Sequence, residues 1–275
     1  MSGDVFFKMT GSGNDFIFLD GRWATPADWP PDRIRRICAR GTGVGADGVV
    51  ILEPGSHAGA VRFLFYNSDG NRAAMCGNAA LCATRLAAHL ELAPPESVVL
   101  ETDAGLVRAR CMPGTEDRAE LLLPDVSQVT SPGIPAQDGE ESIGFAEVGV
   151  PHLVVRVRDL EVVDLQARGR ALRHHPAVAP AGANVNFVAR NGGGWAMRTY
   201  ERGVEDETLA CGTGAVACAT VLNAGGQTSL PFAVRTRSGT TLLVSGTPAA
   251  QVALQAPRLE GEGRLVFRAT LGPGF

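Results

Sequence analysis

Lysine is almost missing from this chain of 275 residues, since Lys8 is the only one beside 24 arginines. Pyridoxal phosphate is held by a lysine Schiff base, so only Lys8 is available for such an enzyme. A P-loop also needs a lysine directly after its glycine-rich stretch, and Lys8 does not occupy that position. The sequence therefore excludes a P-loop and makes a pyridoxal-phosphate enzyme a poor fit.

Long apolar runs and blocks of like charge are missing as well. No apolar run approaches the roughly 20 residues of a membrane helix, and residues 1–9 lack the basic and apolar segments of a secretory signal. The formal net charge is −4 and is spread along the chain, which indicates neither a nucleic-acid partner nor a membrane partner. We expect a cytoplasmic protein; a homodimer is compatible with the sequence.

The residue spacings that mark several common types of site do not occur in this sequence. The five histidines and six cysteines show no paired Cys-x-x-Cys, so we expect no zinc site and no other metal site. Without a secretory signal, the cysteines are expected to be thiols rather than disulfides. Gly43, Gly45 and Gly48 have dinucleotide-motif spacing, but a strand-like run follows them instead of a helix. A Ser–His–Asp hydrolase would need a Gly-x-Ser-x-Gly turn, which does not occur.

What the sequence does contain is many short strand-like runs, separated by some of its 34 glycines and 17 prolines. Helical patterns are few, and they cover about 31–39, 77–91, 160–174 and 212–224. This mixture predicts an α/β or α+β fold. The expected strands are 5–7, 16–19, 48–52, 61–65, 98–101, 121–123, 153–157, 185–189, 233–236, 241–244, 251–254 and 265–269.

An internal repeat surrounds two of the cysteines. Cys76 begins Cys-Gly-Asn-Ala-Ala-Leu-Cys-Ala-Thr-Arg-Leu, and Cys211 begins Cys-Gly-Thr-Gly-Ala-Val-Ala-Cys-Ala-Thr-Val-Leu, which align with one single-residue gap. A polar residue stands nine positions before each cysteine, Asn67 in the first case and Arg202 in the second. Each cysteine precedes a predicted helix of small residues.

The repeat predicts two similar halves that face each other across a cleft. Glycine, proline, glutamate and aspartate gather near residues 118–135, which favours a boundary there. We place the N-terminal half at residues 1–120, completed by a C-terminal strand at 264–275. The second half is then residues 121–263.

A cysteine at a helix N-terminus is placed for acid–base chemistry. The unpaired N–H groups and partial positive charge of the helix end favour the thiolate and also suit a carboxylate. If Cys76 and Cys211 share one cleft, one thiolate can remove an α-proton while the other thiol returns a proton on the opposite face. Donors aimed at the substrate carboxylate would stabilise the intermediate. This pattern points to an amino-acid racemase or epimerase.

The repeated cysteines also allow other interpretations. A cysteine beside glycine at a helix start often serves packing alone, because cysteine is among the most buried residue types. We assign Cys38, Cys82, Cys111 and Cys218 to packing. The alternatives for the repeated pair are a dithiol redox protein and a binding protein with inert thiols.

Further motifs occur in a fixed order along the chain. They begin with Lys-Met-Thr-Gly-Ser-Gly-Asn-Asp-Phe at 8–16 and Gly-Val-Gly-Ala-Asp-Gly at 43–48, followed by Tyr-Asn-Ser-Asp-Gly at 66–70 and Met-Cys-Gly-Asn-Ala at 75–79. Gly-Val-Pro-His at 149–152, Asn-Val-Asn-Phe-Val at 184–188 and Tyr-Glu-Arg-Gly-Val-Glu-Asp-Glu-Thr-Leu-Ala-Cys-Gly-Thr-Gly-Ala at 200–215 come later. From residue 6 to about 222, the chain resembles diaminopimelate epimerase.

The resemblance implies a fold of two pseudo-symmetric α/β halves, each a strongly curved, barrel-like sheet around a central helix. It implies an active site between the halves, a small amino-acid substrate, and neither a cofactor nor a metal. Cys76 and Cys211 would transfer the proton, with His152 and Glu201 supporting the protonation states of the thiols. The implied substrate-binding residues are Asn14, Asn67, Gly77, Asn78, Asn184, Glu201, Arg202, Gly212 and Thr213.

Two positions depart from the family pattern. Val150 stands where many members have asparagine, and Gly48 stands where some have glutamine. The resemblance implies conversion of LL-diaminopimelate to the meso form, for lysine and peptidoglycan synthesis. Because Val150 removes one side-chain hydrogen bond, a racemase for another polar amino acid is the alternative.

Overall fold

The computed structural model describes residues 4–272, which form two compact units. The first contains the chain up to Leu121 together with the segment from Glu260 onward, and the second is Leu122–Leu259. The predicted N-terminal half also included residues 1–3 and 273–275, which lie outside the described residues. The second unit is thus continuous in sequence, whereas the first is made from two separate segments.

The elements follow one another as short strands with few helices. In chain order they are β1 (Val5–Gly11), β2 (Asn14–Asp20), α1 (Pro31–Cys38), β3 (Gly48–Pro54), β4 (Ala60–Asn67), β5 (Arg72–Ala73), α2 (Gly77–His89), β6 (Val98–Thr102), β7 (Gly105–Cys111), β8 (Arg118–Leu122) and β9 (Val129–Thr130). They continue with β10 (Glu140–Val148), β11 (Val150–Val157), α3 (Arg170–Arg173), β12 (Asn184–Asn191), β13 (Gly194–Glu201), β14 (Asp206–Thr208), α4 (Gly212–Ala224), β15 (Phe232–Arg235), β16 (Thr241–Thr247), β17 (Gln255–Glu262) and β18 (Arg264–Thr270).

The two units repeat one strand order. In the first unit the neighbours run β18–β1–β2–β3–β4–β6–β7, and only β2–β3 and β4–β6 are parallel. In the second they run β9–β10–β11–β12–β13–β15–β16, with β11–β12 and β13–β15 parallel. The short strands β5 and β14 add to β4 and β13 in the same antiparallel way. The predicted mixed fold of two similar halves is confirmed.

Each sheet curves around one central helix. Helix α2 contacts strands β1, β2, β3, β4, β6, β7 and β18, and helix α4 contacts β9, β10, β11, β12 and β16. Both helices have 13 residues, most of them buried, and most of those are alanine or another small residue. A helix that is apolar on all sides must be covered all round, and small side chains let the strands approach its backbone closely.

The outer face of each sheet is buried by a different element. In the first unit, Ile34 and Ile37 of α1 pack with Trp29 against the strands. In the second unit, Leu165 and Leu172 of the segment around α3 cover the equivalent face. Each sheet therefore has apolar side chains on both faces, which explains strand runs such as residues 49–52 that are apolar without alternation.

Two element predictions were wrong. The expected helix at 160–174 is reduced to a π-type segment, Leu165–Gly169, followed by the single turn of α3. The side chain of Asp164 accepts a hydrogen bond from the N–H of Ala167 and caps this segment, so the segment begins later than predicted. The expected strand at 251–254 contributes only a bridge from Leu254 to Val126, and β17 begins at the next residue.

Among residues 4–272, none of the helices is both long enough and apolar enough to cross a bilayer.

Candidate active site

Cys76 and Cys211 occupy the same structural position in the two units. Each is the N-cap residue of its central helix, with extended backbone angles of φ −137° and ψ 122° for Cys76 and φ −130° and ψ 109° for Cys211. The first-turn N–H groups of a helix have no partner within the helix, and they carry partial positive charge. Both thiols therefore sit where a thiolate or a bound anion is stabilised.

The strand register corrects the sequence alignment of the two halves. Gly48 pairs with Asn67 in the first unit. In the second, Asn184 lies opposite Glu201, one step beyond the last pair of its ladder. The counterpart of Asn67 is thus Glu201 rather than Arg202. The two central helices are equally long, so the one-residue gap belongs in the turn before the cysteine, not inside the helix.

In the first unit, the structure brings Asn14 and Asn78 together beside Cys76. The amide of Asn78, in the first turn of α2, donates to Asn14 Oδ1 at 2.8 Å. Asn14 Nδ2 in turn donates to Asp47 Oδ2 at 3.0 Å. The same carboxylate oxygen accepts from the backbone N–H of Asp15 at 3.1 Å. Asp47, which the sequence did not single out, therefore fixes the orientation of a predicted substrate-binding amide.

Behind these amides lies a cluster of charges. Lys8 Nζ lies 2.5 Å from Asp15 Oδ2 and also donates to the Gly45 carbonyl. Arg40 bridges the two carboxylates, at 2.5 Å from Asp15 and 2.8 Å from Asp47. Burial disfavours the charged form of Asp15, but hydrogen bonds from Arg40 and Lys8 outweigh this effect and lower its pKa. The only lysine of the chain is thus 8% exposed and paired.

The remaining predicted residues of the first unit behave differently. Asn67 is exposed, and its backbone closes the turn before β5 through a bond to Asn71. A Cβ atom on Gly77 would meet nothing within 4 Å, so a ligand can approach the backbone there. A Cβ on Gly48 would lie 2.5 Å from the Tyr66 carbonyl and 2.7 Å from the Phe65 ring. A larger residue at position 48 would therefore need the neighbouring strand to shift.

In the second unit, the structure brings His152, Asn184 and Arg202 together. His152 and Asn184 are partners on the parallel strands β11 and β12, and both are buried. Asn184 Oδ1 accepts from the backbone N–H of Arg202 at 2.8 Å. Thr213 lies in the first turn of α4, and its hydroxyl is 3.7 Å from the Cys211 sulfur. These contacts join His152 to Asn184 and Asn184 to Arg202, and they place the Thr213 hydroxyl beside Cys211.

His152 is a neutral imidazole in this setting. It is completely buried, and burial together with the nearby charge of Arg202 lowers its pKa to about 3. Its Nδ1 lies 3.1 Å from the amide nitrogen of Asn186. Any support that His152 gives the chemistry therefore comes from hydrogen bonding and not from gain and loss of a proton. Asn186 belongs to the motif at 184–188 but was not among the predicted site residues, because a position inside a strand signals only burial.

The two units place different side chains at equivalent positions. Where the first has Asn14, Phe16 and Gly48, the second has Val150, His152 and Asn184, as the matching ladders show. Each of these positions is therefore polar in one unit and apolar or glycine in the other. In particular, Val150 is the counterpart of Asn14. The repeat preserves the cysteines and the helices but gives each half its own set of hydrogen-bonding groups.

The other four cysteines lie in the core. Burial raises the pKa of the Cys38 thiol to about 12, and it also raises the pKa values of Cys82, Cys111 and Cys218. Such thiols remain protonated and unreactive at neutral pH.

Comparison with known proteins identifies the family of the chain. The sequence model for diaminopimelate epimerase matches residues 6–119 and 144–253. A diaminopimelate epimerase from Gemmatimonas aurantiaca is 45% identical over 275 residues, covering 97% of this chain and 98% of that protein. This chain belongs to the diaminopimelate epimerase family. A member from Aquifex aeolicus is 41% identical and covers 87% of the chain and 88% of its own length.

Solved structures of low sequence identity share the fold of this family member. A probable proline racemase from Agrobacterium radiobacter has a TM-score of 0.68 at 19% identity, covering 98% of this chain and 93% of that one. A hydroxyproline epimerase from Agrobacterium vitis also has a TM-score of 0.68, at 22% identity, covering 98% of this chain and 91% of that one. The two-half architecture is thus shared well beyond the range of clear sequence similarity.

Proposed function

We propose that this protein epimerises LL-diaminopimelate to meso-diaminopimelate by moving a proton between Cys76 and Cys211. The observation that carries the proposal is the repeated helix N-cap cysteine, present in both halves of a member of the diaminopimelate epimerase family. Neither a redox protein nor a binding protein requires two thiols at equivalent positions, at the N-termini of two buried helices.

The proposed chemistry needs one base and one acid. A thiolate takes the α-proton from one face of the substrate carbon, and the electron pair left behind is delocalised onto the α-carboxylate. The other thiol then delivers its proton to the opposite face, so the two cysteines exchange protonation states and the configuration inverts. First-turn N–H groups of α2 and α4 favour the negative charge in the intermediate.

The complementary side chains favour a substrate with charged groups at both ends. The first unit offers the neutral amides of Asn14 and Asn78, and the second offers Asn184, Glu201 and Arg202. An arginine fork suits a carboxylate, and a glutamate suits an ammonium group. We assign the distal amino-acid end of the substrate to the charged set, with the additional binding groups Asn67, Gly77, Gly212 and Thr213.

A reaction without an organic cofactor fits the state of Lys8. A Schiff base requires an unprotonated, accessible amine, whereas Lys8 is buried and ion-paired to Asp15. Two reduced thiols also suit a reducing compartment, which supports a cytoplasmic location for the active protein.

Exchange of the substrate α-hydrogen in D₂O tests the proposal. The purified protein, without added cofactor, should incorporate deuterium into LL-diaminopimelate and form the meso isomer. Cys76→Ala and Cys211→Ala should each lower turnover roughly 1,000-fold or more, because each removes an acid–base group. Cys82→Ala and Cys218→Ala are matched controls on the same two helices, and they should retain activity. Full activity in either of the first two variants would refute the two-thiol mechanism.

The same assay separates substrates. Val150 in place of an amide motivates a comparison with lysine, histidine, ornithine and glutamate. Faster exchange with one of these than with LL-diaminopimelate would move the proposal to another polar amino acid while leaving the chemistry unchanged. Absence of exchange with all of them would reject an α-carbon epimerase.

A further inference from the structure

The side chain of Asn186 contacts three polar groups in the second unit. It is fully buried, and its Nδ2 donates to the Leu153 carbonyl at 3.0 Å. The same nitrogen lies 3.1 Å from His152 Nδ1. On the other side, its Oδ1 accepts from the Thr199 hydroxyl at 3.0 Å. The amide thus uses both N–H bonds and its oxygen.

These contacts determine which way round the amide lies. A backbone carbonyl only accepts hydrogen bonds, so the atom of Asn186 facing Leu153 must be the nitrogen. The second N–H of that nitrogen then points at His152 Nδ1, which must accept. A neutral imidazole that accepts at Nδ1 carries its proton on Nε2.

That Nε2 atom has no hydrogen-bond partner within residues 4–272, although it is buried. A buried N–H without an acceptor costs roughly 1–3 kcal/mol, so natural proteins seldom retain one without a use. An acceptor that arrives with the substrate would remove this cost. The carboxylate of an amino acid or a thiolate has the required lone pairs.

The start of α4 is built to admit Asn186. A Cβ atom on Gly214 would fall well inside van der Waals contact with Asn186 Oδ1, and it would lie 3.2 Å from the Cβ of Cys211. In the first unit the helix position equivalent to Gly214 is Ala79, and the strand position equivalent to Asn186 is Val50. Gly214 therefore allows close contact between the helix that carries Cys211 and the amide that contacts His152.

We propose that Asn186 is a positioning residue that holds His152 as the Nε2–H tautomer, so that this N–H donates to negative charge formed during the reaction. The inference rests on the proposed epimerase function, and it assigns Asn186 and Thr199 a role through His152 and not through the substrate. His152 then acts as a fixed donor and not as a shuttle for protons.

Nitrogen NMR of histidine-labelled protein tests the tautomer directly. The His152 signals, assigned by their loss in His152→Gln, should show a protonated Nε2 and an unprotonated Nδ1, unchanged between pH 5 and 9. His57 and His174 are exposed, and their signals provide an internal comparison in the same spectrum. A proton on Nδ1 of His152 in the unaltered protein would overturn the inference whether or not the protein is an epimerase.

Activity of altered proteins tests the consequence. Asn186→Asp presents an acceptor to Nδ1, so it should move the proton to Nδ1 and lower kcat roughly 100-fold, as expected when an active-site donor is lost. KM should change much less. Asn186→Ala, which leaves the tautomer unspecified, should show a smaller loss.

Two threonine variants complete the test. Thr199→Val removes the bond that fixes Asn186 Oδ1, and it should lower kcat several-fold. Thr220→Val removes a similarly buried hydroxyl bonded to Val216 in the same unit, and it should leave kcat unchanged. Full kcat in Asn186→Asp with the proton on Nδ1 would overturn the inference but leave the epimerase proposal intact. Failure of the unaltered protein to exchange deuterium would overturn the function, and with it the assigned role.

Discussion

Asn78 donates a hydrogen bond of 2.8 Å to Asn14, and this bond joins the first turn of the helix behind Cys76 to the start of strand β2. The two residues are 64 positions apart in sequence. The donor and the acceptor of this bond are fixed, because the Asn14 amide nitrogen donates to Asp47 and its oxygen therefore accepts from Asn78. One acidic residue thus sets the orientation of both amides.

Removing Asp47 should weaken substrate binding. Asp47→Ala leaves the Asn14 amide free to rotate, so we expect KM for LL-diaminopimelate to rise roughly tenfold, as for other residues that orient binding groups. Steady-state kinetics measures this change. Asp20→Ala serves as a control, because Asp20 pairs with Arg22 away from the amides. An unchanged KM in the Asp47 variant would show that the amides keep their orientation without it.

A methyl group at position 214 should disturb both folding and activity. Gly214→Ala forces Asn186 or the start of α4 to move, at a cost of about 1–3 kcal/mol in the free energy of unfolding. Gly225→Ala, at the end of the same helix, places its Cβ no closer than 3.5 Å to any neighbour and should be tolerated. Urea unfolding of the two variants gives the comparison. Equal stability would contradict the tight contact at Gly214.

Acid should destabilise the protein in part through Asp15. Its pKa in the folded state is lowered, although burial alone would raise it, because Arg40 and Lys8 bond the charged form. The stabilisation is therefore complete above the ordinary pKa of about 4 and is lost as the pH falls through the lower folded value. Asp15→Asn should cost about 1–3 kcal/mol at pH 7 and show a shallower loss of stability below pH 4.

Urea unfolding at several pH values measures this dependence. Asp32→Asn is the matched control, since Asp32 forms an exposed pair with Arg35 on α1. An exposed pair contributes little, so this variant should follow the unaltered protein at every pH. If the free energy of unfolding of Asp15→Asn falls with acid as steeply as that of the unaltered protein, the acid sensitivity arises from other groups.

Thiol reagents should discriminate between the cysteines. Cys76 is partly exposed at a helix N-terminus, whereas burial raises the pKa values of Cys38, Cys82 and Cys218. Iodoacetamide at pH 8 should therefore alkylate Cys76 well before those three thiols. Mass spectrometry of peptides locates the label, and protein unfolded in guanidinium should react at all six positions. Equal labelling of Cys38 in the folded protein would count against the burial argument.

The sequence was most informative where local pattern and packing agree. Helix α4 was predicted at the bounds that it has, because a run of small apolar residues after Cys-Gly suits only a buried helix. The segment at 160–174 also has a helical pattern of apolar residues, but it contains Gly169, where a Cβ would lie 2.7 Å from Tyr200. Close packing against β13 fixes the backbone there, and no local signal in the sequence reports it.

The candidate site was predictable to the extent that its residues belong to motifs. Both cysteines and the amides of Asn14 and Asn78 lie in such motifs. Asp47 lies in one too, but its partner Asn14 is 33 residues away and the contact depends on strand register. Asn186 also lies in a motif, Asn-Val-Asn-Phe-Val at 184–188, but an asparagine inside a strand has no sequence feature that distinguishes a tertiary contact from simple burial.

The return of strand β18 to the first unit has a consequence for synthesis on the ribosome. Strand β1 pairs along its length with Arg264–Thr270, which leaves the ribosome after the whole of Leu122–Leu259. The second unit is continuous in sequence, so it can complete its sheet while the first unit still lacks the edge strand β18. Folding of the nascent protein should therefore finish in the half that was translated first.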